Sequence, residues 1–183
     1  MADVRTTTLP DANTAPEAPP SPTHVTIRRE DYRPPNWLVP DIALNFTLGI
    51  EKTRVQSKLS IERNPGSVER TDVVRLNGDG LKPAGVWIDG RQTDRWTMDG
   101  GDLLIEVPGD RHEIGIDVEI SPAANTKLMG LYASNGMLCT QCEAEGFRRI
   151  TFFPDRPDVL STYRVRMKGP KDQFPILLCI GNL

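Results

Sequence analysis

From residue 41 the chain alternates. Ile42, Leu44, Phe46, Leu48 and Ile50 fall on one face, and Ala43, Asn45, Thr47 and Gly49 on the other. A period of two is that of a strand with one side covered, so a long half-buried strand is expected here. Val55, Leu59 and Ile61 carry the alternation on through TRVQSKLSIER to Asn64-Pro65-Gly66, a turn in which glycine permits a positive φ. The pattern predicts a hairpin of two long strands.

Between residues 73 and 107 the pattern breaks into short pieces, VVRL, GVWID, RWTM and LLIEV. They are separated by Asn77-Gly78, Asp89-Gly90 and Asp99-Gly100-Gly101, with Pro108-Gly109 after the last. Such connections are too short for helices and suit tight turns. Ile114, Ile116, Val118 and Ile120 then alternate with Glu113, Gly115, Asp117 and Glu119 until Pro122. One short helix is expected near Asp155-Arg156-Pro157-Asp158, where proline suits a first helical position and Asp155 could cap the exposed amides. Tyr163, Val165 and Met167 resume a strand pattern, and the apolar run 176–180 reads as a buried strand. The expected fold is all-β, an antiparallel sandwich or large curved sheet with at most one short helix.

Composition changes this picture mainly at the start of the chain. Residues 1–23 hold Pro10, Pro16, Pro19, Pro20 and Pro22 and no aromatic residue, the make-up of a segment too poor in apolar surface to order itself. The expected organisation is therefore a disordered tail over 1–23 and a β domain over 24–183. The 183-residue chain is 38% hydrophobic and 26% charged, with a net charge of −3. That balance supplies no field to gather phosphates, so nucleic acid is not an expected partner. No apolar run approaches the roughly 20 residues of a spanning helix, and the first residues lack the apolar stretch of a secretory signal. A soluble cytoplasmic protein is expected, without a membrane partner. Three cysteines do not make a disulfide framework and read as free thiols.

Candidate chemistry concentrates in Cys139-Thr140-Gln141-Cys142-Glu143-Ala144-Glu145-Gly146-Phe147-Arg148-Arg149. As half of a zinc site the two cysteines would need two more ligands, drawn from Cys179, His24 and His112. As a redox pair they would need a helix amino terminus, which an all-β pattern does not offer. They also fit as small buried hydrophobes, with Glu143 and Glu145 solvated. His112 reads as an exposed residue at a strand end. Asn77-Gly78-Asp79-Gly80 and Asp99-Gly100-Gly101-Asp102 lack the ligand spacing of a calcium loop and read as turns.

A further reading comes from resemblance. The stretch SPAANTKLMGLYASNGMLCTQCEAEGFRRITFFPDRPDVLSTY, residues 121–163, is similar in nearly continuous order to the amino-terminal domain of bacterial enzymes of the aminopeptidase N family. The likeness extends to DYRPPNWLVPDIALNFTL at 31–48, RLNGDGL at 75–81 and FPILLCIGN at 174–182. It implies a saddle-shaped β domain that packs on a thermolysin-like, zinc-dependent catalytic domain of the same polypeptide and forms one wall of its substrate cleft. It also implies that Glu143 faces the α-amino group of a peptide substrate as its counter-charge, with Gln141 as a neutral polar neighbour. Were the segment extended, Gln141, Glu143 and Glu145 would share one face. Glu145, Arg148 and Arg149 are assigned to structural hydrogen bonds or the domain interface.

The resemblance also marks what is missing. The family's His-Glu-x-x-His zinc helix, its Gly-Ala-Met-Glu-Asn motif and its oxyanion-stabilising tyrosine have no counterpart among these 183 residues. No catalytic residue and no metal ligand is therefore assigned, and this segment is expected to be inactive alone, the family's zinc lying elsewhere in the full-length enzyme. The chain's end in an apolar run also suggests a piece of something longer. A self-standing β-sandwich interaction module is the alternative reading.

Overall fold

The computed structural model describes residues 28–181; the proline-rich stretch 1–23 and His24 lie outside them. Two units are distinguished, with the boundary between Tyr32 and Arg33. In the first, Arg29–Asp31 forms a single 3-10 turn. The second holds eleven strands. In chain order these are β1 (Trp37–Thr47), β2 (Thr53–Arg63), β3 (Val73–Leu76), β4 (Pro83–Ile88), β5 (Arg91–Gln92), β6 (Trp96–Asp99), β7 (Asp102–Glu106), β8 (Arg111–Ile120), β9 (Gly130–Ser134), β10 (Met137–Gln141) and β11 (Thr162–Lys168). The all-β expectation holds.

A six-stranded sheet runs in the order β11-β1-β2-β8-β4-β5, a three-stranded sheet in the order β3-β7-β6, and β9 and β10 form a hairpin of their own. The long strands follow from alternation. Thr53, Val55, Ser57, Leu59 and Ile61 are all buried on β2, and Ile114, Ile116 and Val118 on β8. On β1 the buried positions switch from Trp37 and Val39 to Ile42 and Leu44, because a register irregularity between Leu38 and Asp41 shifts the parity. Val74, Leu76, Leu103 and Ile105 of the smaller sheet complete the same core.

Burying polar residues in that core requires partners. Ser57 Oγ lies 2.9 Å from Thr151 Oγ1, and Thr53 Oγ1 donates to Gly49 O at 2.7 Å. Asp117, almost fully buried, accepts from Arg54 Nε at 2.9 Å.

Three expectations are corrected. First, β11 pairs with β1 in parallel, so the large sheet is mixed rather than purely antiparallel. Second, residues 155–158 form no helix. Arg156 precedes Pro157, which disfavours helical backbone, and Val159 is drawn into the core straight after, leaving isolated turns from Arg156 N to Pro154 O and from Val159 N to Arg156 O. Third, the run 176–180 is neither strand nor buried: Ile176, Leu178 and Ile180 are 74%, 86% and 99% exposed. Packing ends at Phe174, and Pro175 offers no amide to a ladder.

Candidate functional site

The candidate residues sit just past a tight hairpin. Asn135 (φ 48°) and Gly136 (φ 78°) turn β9 into β10, with Met137 opposite Ser134 and Gln141 opposite Gly130. Both residues hold positive φ, as the commonest two-residue hairpin turn requires, and Asn-Gly is its preferred sequence. The ladder stops at Gln141. Beyond it the chain turns, and Gly146 N donates to Cys142 O at 2.8 Å.

The tightness of this turn explains its glycines. A Cβ on Gly146 would lie 2.6 Å from Gln141 O and 2.8 Å from Cys142 Cα, so no side chain fits. A Cβ on Gly130 (φ 77°) would lie 2.7 Å from Arg149 Cβ. Asn125 pins the approach to β9, its Nδ2 donating to Met129 O at 2.8 Å and Leu131 O at 2.9 Å.

The condition under which Gln141, Glu143 and Glu145 would share one face, an extended segment, is therefore not met. Gln141 and Glu143 are exposed, but Gln141 Nε2 donates to the Glu143 backbone carbonyl at 3.2 Å, and Glu145 turns away to pair with Arg148 at 3.1 Å. Among the described residues no hydrogen bond or ion pair engages the Glu143 carboxylate. The carboxylates that meet the arginines of this segment are committed: Asp155 to Arg148, and Asp79 to Arg149. The structural roles expected of Glu145, Arg148 and Arg149 are thus observed.

Cys142 points inward, packing against the core, and burial pushes its thiol pKa up, with the nearby Asp155 charge adding to the effect. A raised pKa is the opposite of what a reactive thiolate needs. Cys139 is half-buried, and all three cysteines are free. Among the described residues no group of three or more His, Cys, Asp and Glu side chains could hold a metal ion. Asp99 and Asp102 bracket a hairpin turn and bind Arg75 at 2.5 and 2.9 Å, a structural use of that acidic pair. His112 does lie at a strand end, second in β8, yet its side chain is only 12% exposed, against the expectation of an exposed residue. Its Nδ1 lies 2.7 Å from Asp89 Oδ2 and its Nε2 faces the Pro108 carbonyl.

What the sequence did not suggest is the support behind the turn. Phe147 packs edge-on against Phe153 at 5.1 Å and Tyr163 at 5.8 Å between ring centres. Asn77 exchanges backbone hydrogen bonds with Phe153, and its Oδ1 accepts from Asp155 N at 3.1 Å. Asp155 was expected to cap a helix following it. Its carboxylate instead accepts from the Arg148 amide, seven residues earlier, at 3.0 Å. A groove of about 560 Å³ lies beside this support, lined by Trp37, Arg75, Leu104, Arg148 and Asp155 among others.

Residues 32–179 match the family model described as the peptidase M1 N-terminal domain. The chain is 45% identical over 154 residues to aminopeptidase N of Caulobacter vibrioides, covering 83% of this chain and 17% of that protein. It is 44% identical over 154 residues to aminopeptidase N of Escherichia coli, covering 84% and 17%. Among solved structures, Legionella pneumophila aminopeptidase A in complex with aspartic acid superposes with a TM-score of 0.75 at 24% identity, over 81% of this chain and 18% of that one. Native yeast LTA4 hydrolase gives 0.61 at 20%, over 74% and 23%. These two likenesses speak to the fold. The chain thus spans only about a sixth of the length of these two curated relatives.

Proposed function

The chain belongs to the peptidase M1 family, carrying its amino-terminal domain, and from that premise we propose that it serves a cytoplasmic, zinc-dependent aminopeptidase as one wall of the substrate cleft. Glu143 receives the α-amino group of the peptide, and Gln141 flanks it. The catalytic domain of the same polypeptide holds the zinc, which activates water for hydrolysis. The chain by itself has no peptidase activity.

The observation that carries this reading is a contrast among the carboxylates of this segment and of its arginine partners. Glu145, Asp155 and Asp79 each have an arginine, whereas Glu143, exposed in the turn, has none among the described residues. An exopeptidase must tell a charged terminus from an internal amide. A carboxylate left unpaired until substrate arrives does so, because a charge buried without its partner is costly. The exposed apolar side chains Ile176, Leu178 and Ile180, with Tyr163 and Val165, supply surface of the kind a covering domain would bury.

In the complete peptidase that carries this domain, Glu143→Ala is expected to lower kcat/KM by an amount corresponding to about 2–5 kcal/mol, the cost of removing one partner of a desolvated ion pair. Steady-state kinetics on an unblocked peptide substrate measures this. Unchanged efficiency would remove Glu143 from the site.

A further inference from the structure

The turn that carries Glu143 leans on one side chain from a different part of the chain. Beyond Gln141 it has no ladder to hold it, and its internal closure is the Gly146 N to Cys142 O hydrogen bond. From outside, Arg148 grips it. The Arg148 guanidinium pairs with Glu145 within the turn at 3.1 Å, and reaches Asp155 Oδ2 at 3.1 Å and the Asp155 carbonyl at 2.9 Å. Asp155 in turn accepts from the Arg148 amide and is anchored through its own amide to Asn77, at the end of β3. It is 13% exposed, dry enough for these charge-assisted bonds to be strong. Burial, and after it the Asp155 charge, pushes up the pKa of Cys142, the residue between Gln141 and Glu143.

We propose that Asp155, acting through Arg148, is a positioning residue for recognition of the substrate amino terminus: it fixes the turn that carries Glu143 against the end of β3 and so sets where the Glu143 carboxylate stands. The kinetic consequence rests on the substrate role proposed above for Glu143; the structural consequence does not. Asp155 touches neither substrate nor metal in this scheme. Its removal should loosen the ammonium site without altering the chemistry that follows. Binding of the ammonium is shared by ground state and transition state, so the loss should appear in KM while kcat stays near its normal value.

The test is Asp155→Asn in the complete peptidase, which keeps the shape and removes the charge. Hydrogen exchange of the amides of Gly146 and Arg148 should accelerate on the order of tenfold, the weight of one charge-assisted hydrogen bond, while amides of β2 and β8 keep their protection. KM should rise by a comparable factor, about tenfold, with kcat little changed. Combined with Glu143→Ala, the second substitution should add almost nothing, since both act on one contact. Unaltered exchange in the turn overturns the proposal, and so does a double variant whose losses simply multiply. A normal kcat/KM for Glu143→Ala alone would sink the substrate role, leaving the clamp to stand or fall on exchange. Should Asp155→Asn fail to fold, Arg148→Lys tests the same clamp, because it keeps the charge and loses the fork that spans Glu145 and Asp155.

Discussion

The β2–β8 pair and the connection from Gln141 to Asp155 solve the problem of holding a chain still in opposite ways. The strands are joined by ten successive residue pairs, from Thr53 with Ile120 to Glu62 with Arg111, and Val55, Leu59, Ile114 and Val118 behind them are without solvent exposure. The connection enters the core in its second half through Ile150, Phe152 and Phe153, but between β10 and Ile150 it holds a single 3-10 turn whose fixed points are particular side chains: Arg148 on Asp155, Arg149 on Asp79, Phe147 on Phe153. Apolar burial is strong and indifferent to detail, since many side chains of similar volume fill the same space. Polar contacts stabilise less but demand one arrangement. On the role proposed for Glu143, the domain folds with the first and aims with the second.

The comparison can be broken most sharply at Leu59, which has no exposed surface and sits opposite Ile42 on one side and Ile114 on the other. Leu59→Ala is expected to lower the unfolding free energy of the chain by about 2–5 kcal/mol, from lost burial and the cavity left behind. Denaturant titration measures it, and a loss below about 1 kcal/mol would mean the sheet core is not what holds the domain together. Gly130→Ala should cost less, about 1–3 kcal/mol, through its positive φ and a Cβ pressed towards Arg149. Part of that strain can be relieved by local movement of the turn, so exchange should rise around Gly146 more than in β2. A cost equal to that of Leu59→Ala would place the turn inside the cooperative core and erase the distinction.

The same division decided what the sequence disclosed. The alternation of β2 and β8 records burial directly, and the positive-φ turns at Asp89-Gly90 and Asn135-Gly136 carry their own residue preferences. Gln141 and Glu143 are marked through family likeness alone, and their turn conformation is not legible, because periodicity says nothing about a turn fixed by contacts far along the chain. Asp155 is the clearest case. Locally it reads as a helix cap, and only the fold brings it onto the amide of Arg148. The run 176–180 misled for a different reason: apolar content predicts burial only where something covers it. The parallel β11–β1 pairing was equally hidden, since pairing partners are not written in the alternation of either strand.

The smallest effect probes whether the sheet, too, uses polar fixing at its rim. Asp89 stands in the turn between β4 and β5, where its Oδ1 accepts from Glu113 N at 2.9 Å and its Oδ2 lies 2.7 Å from His112 Nδ1. The Glu113 amide, and after it His112, hold the Asp89 carboxyl below its ordinary value. A carboxylate whose folded pKa is depressed contributes stability above its unfolded pKa, about 3.9, and that contribution is lost as pH falls through the folded value. Asp89→Asn should therefore lower stability at pH 7, where the contribution is fully present, and flatten the acid limb of the stability curve below about pH 4, where the native protein loses it anyway. Asp110, held low chiefly by Arg63, keeps its own share, so the limb should become shallower without disappearing. Because the Asp89 side chain is 55% exposed, added salt should shrink the difference between the two proteins. Urea titrations between pH 5 and pH 2 would show this. Parallel acid limbs for the two proteins would mean that the sheet rim, unlike the Glu143 turn, owes nothing to its charge.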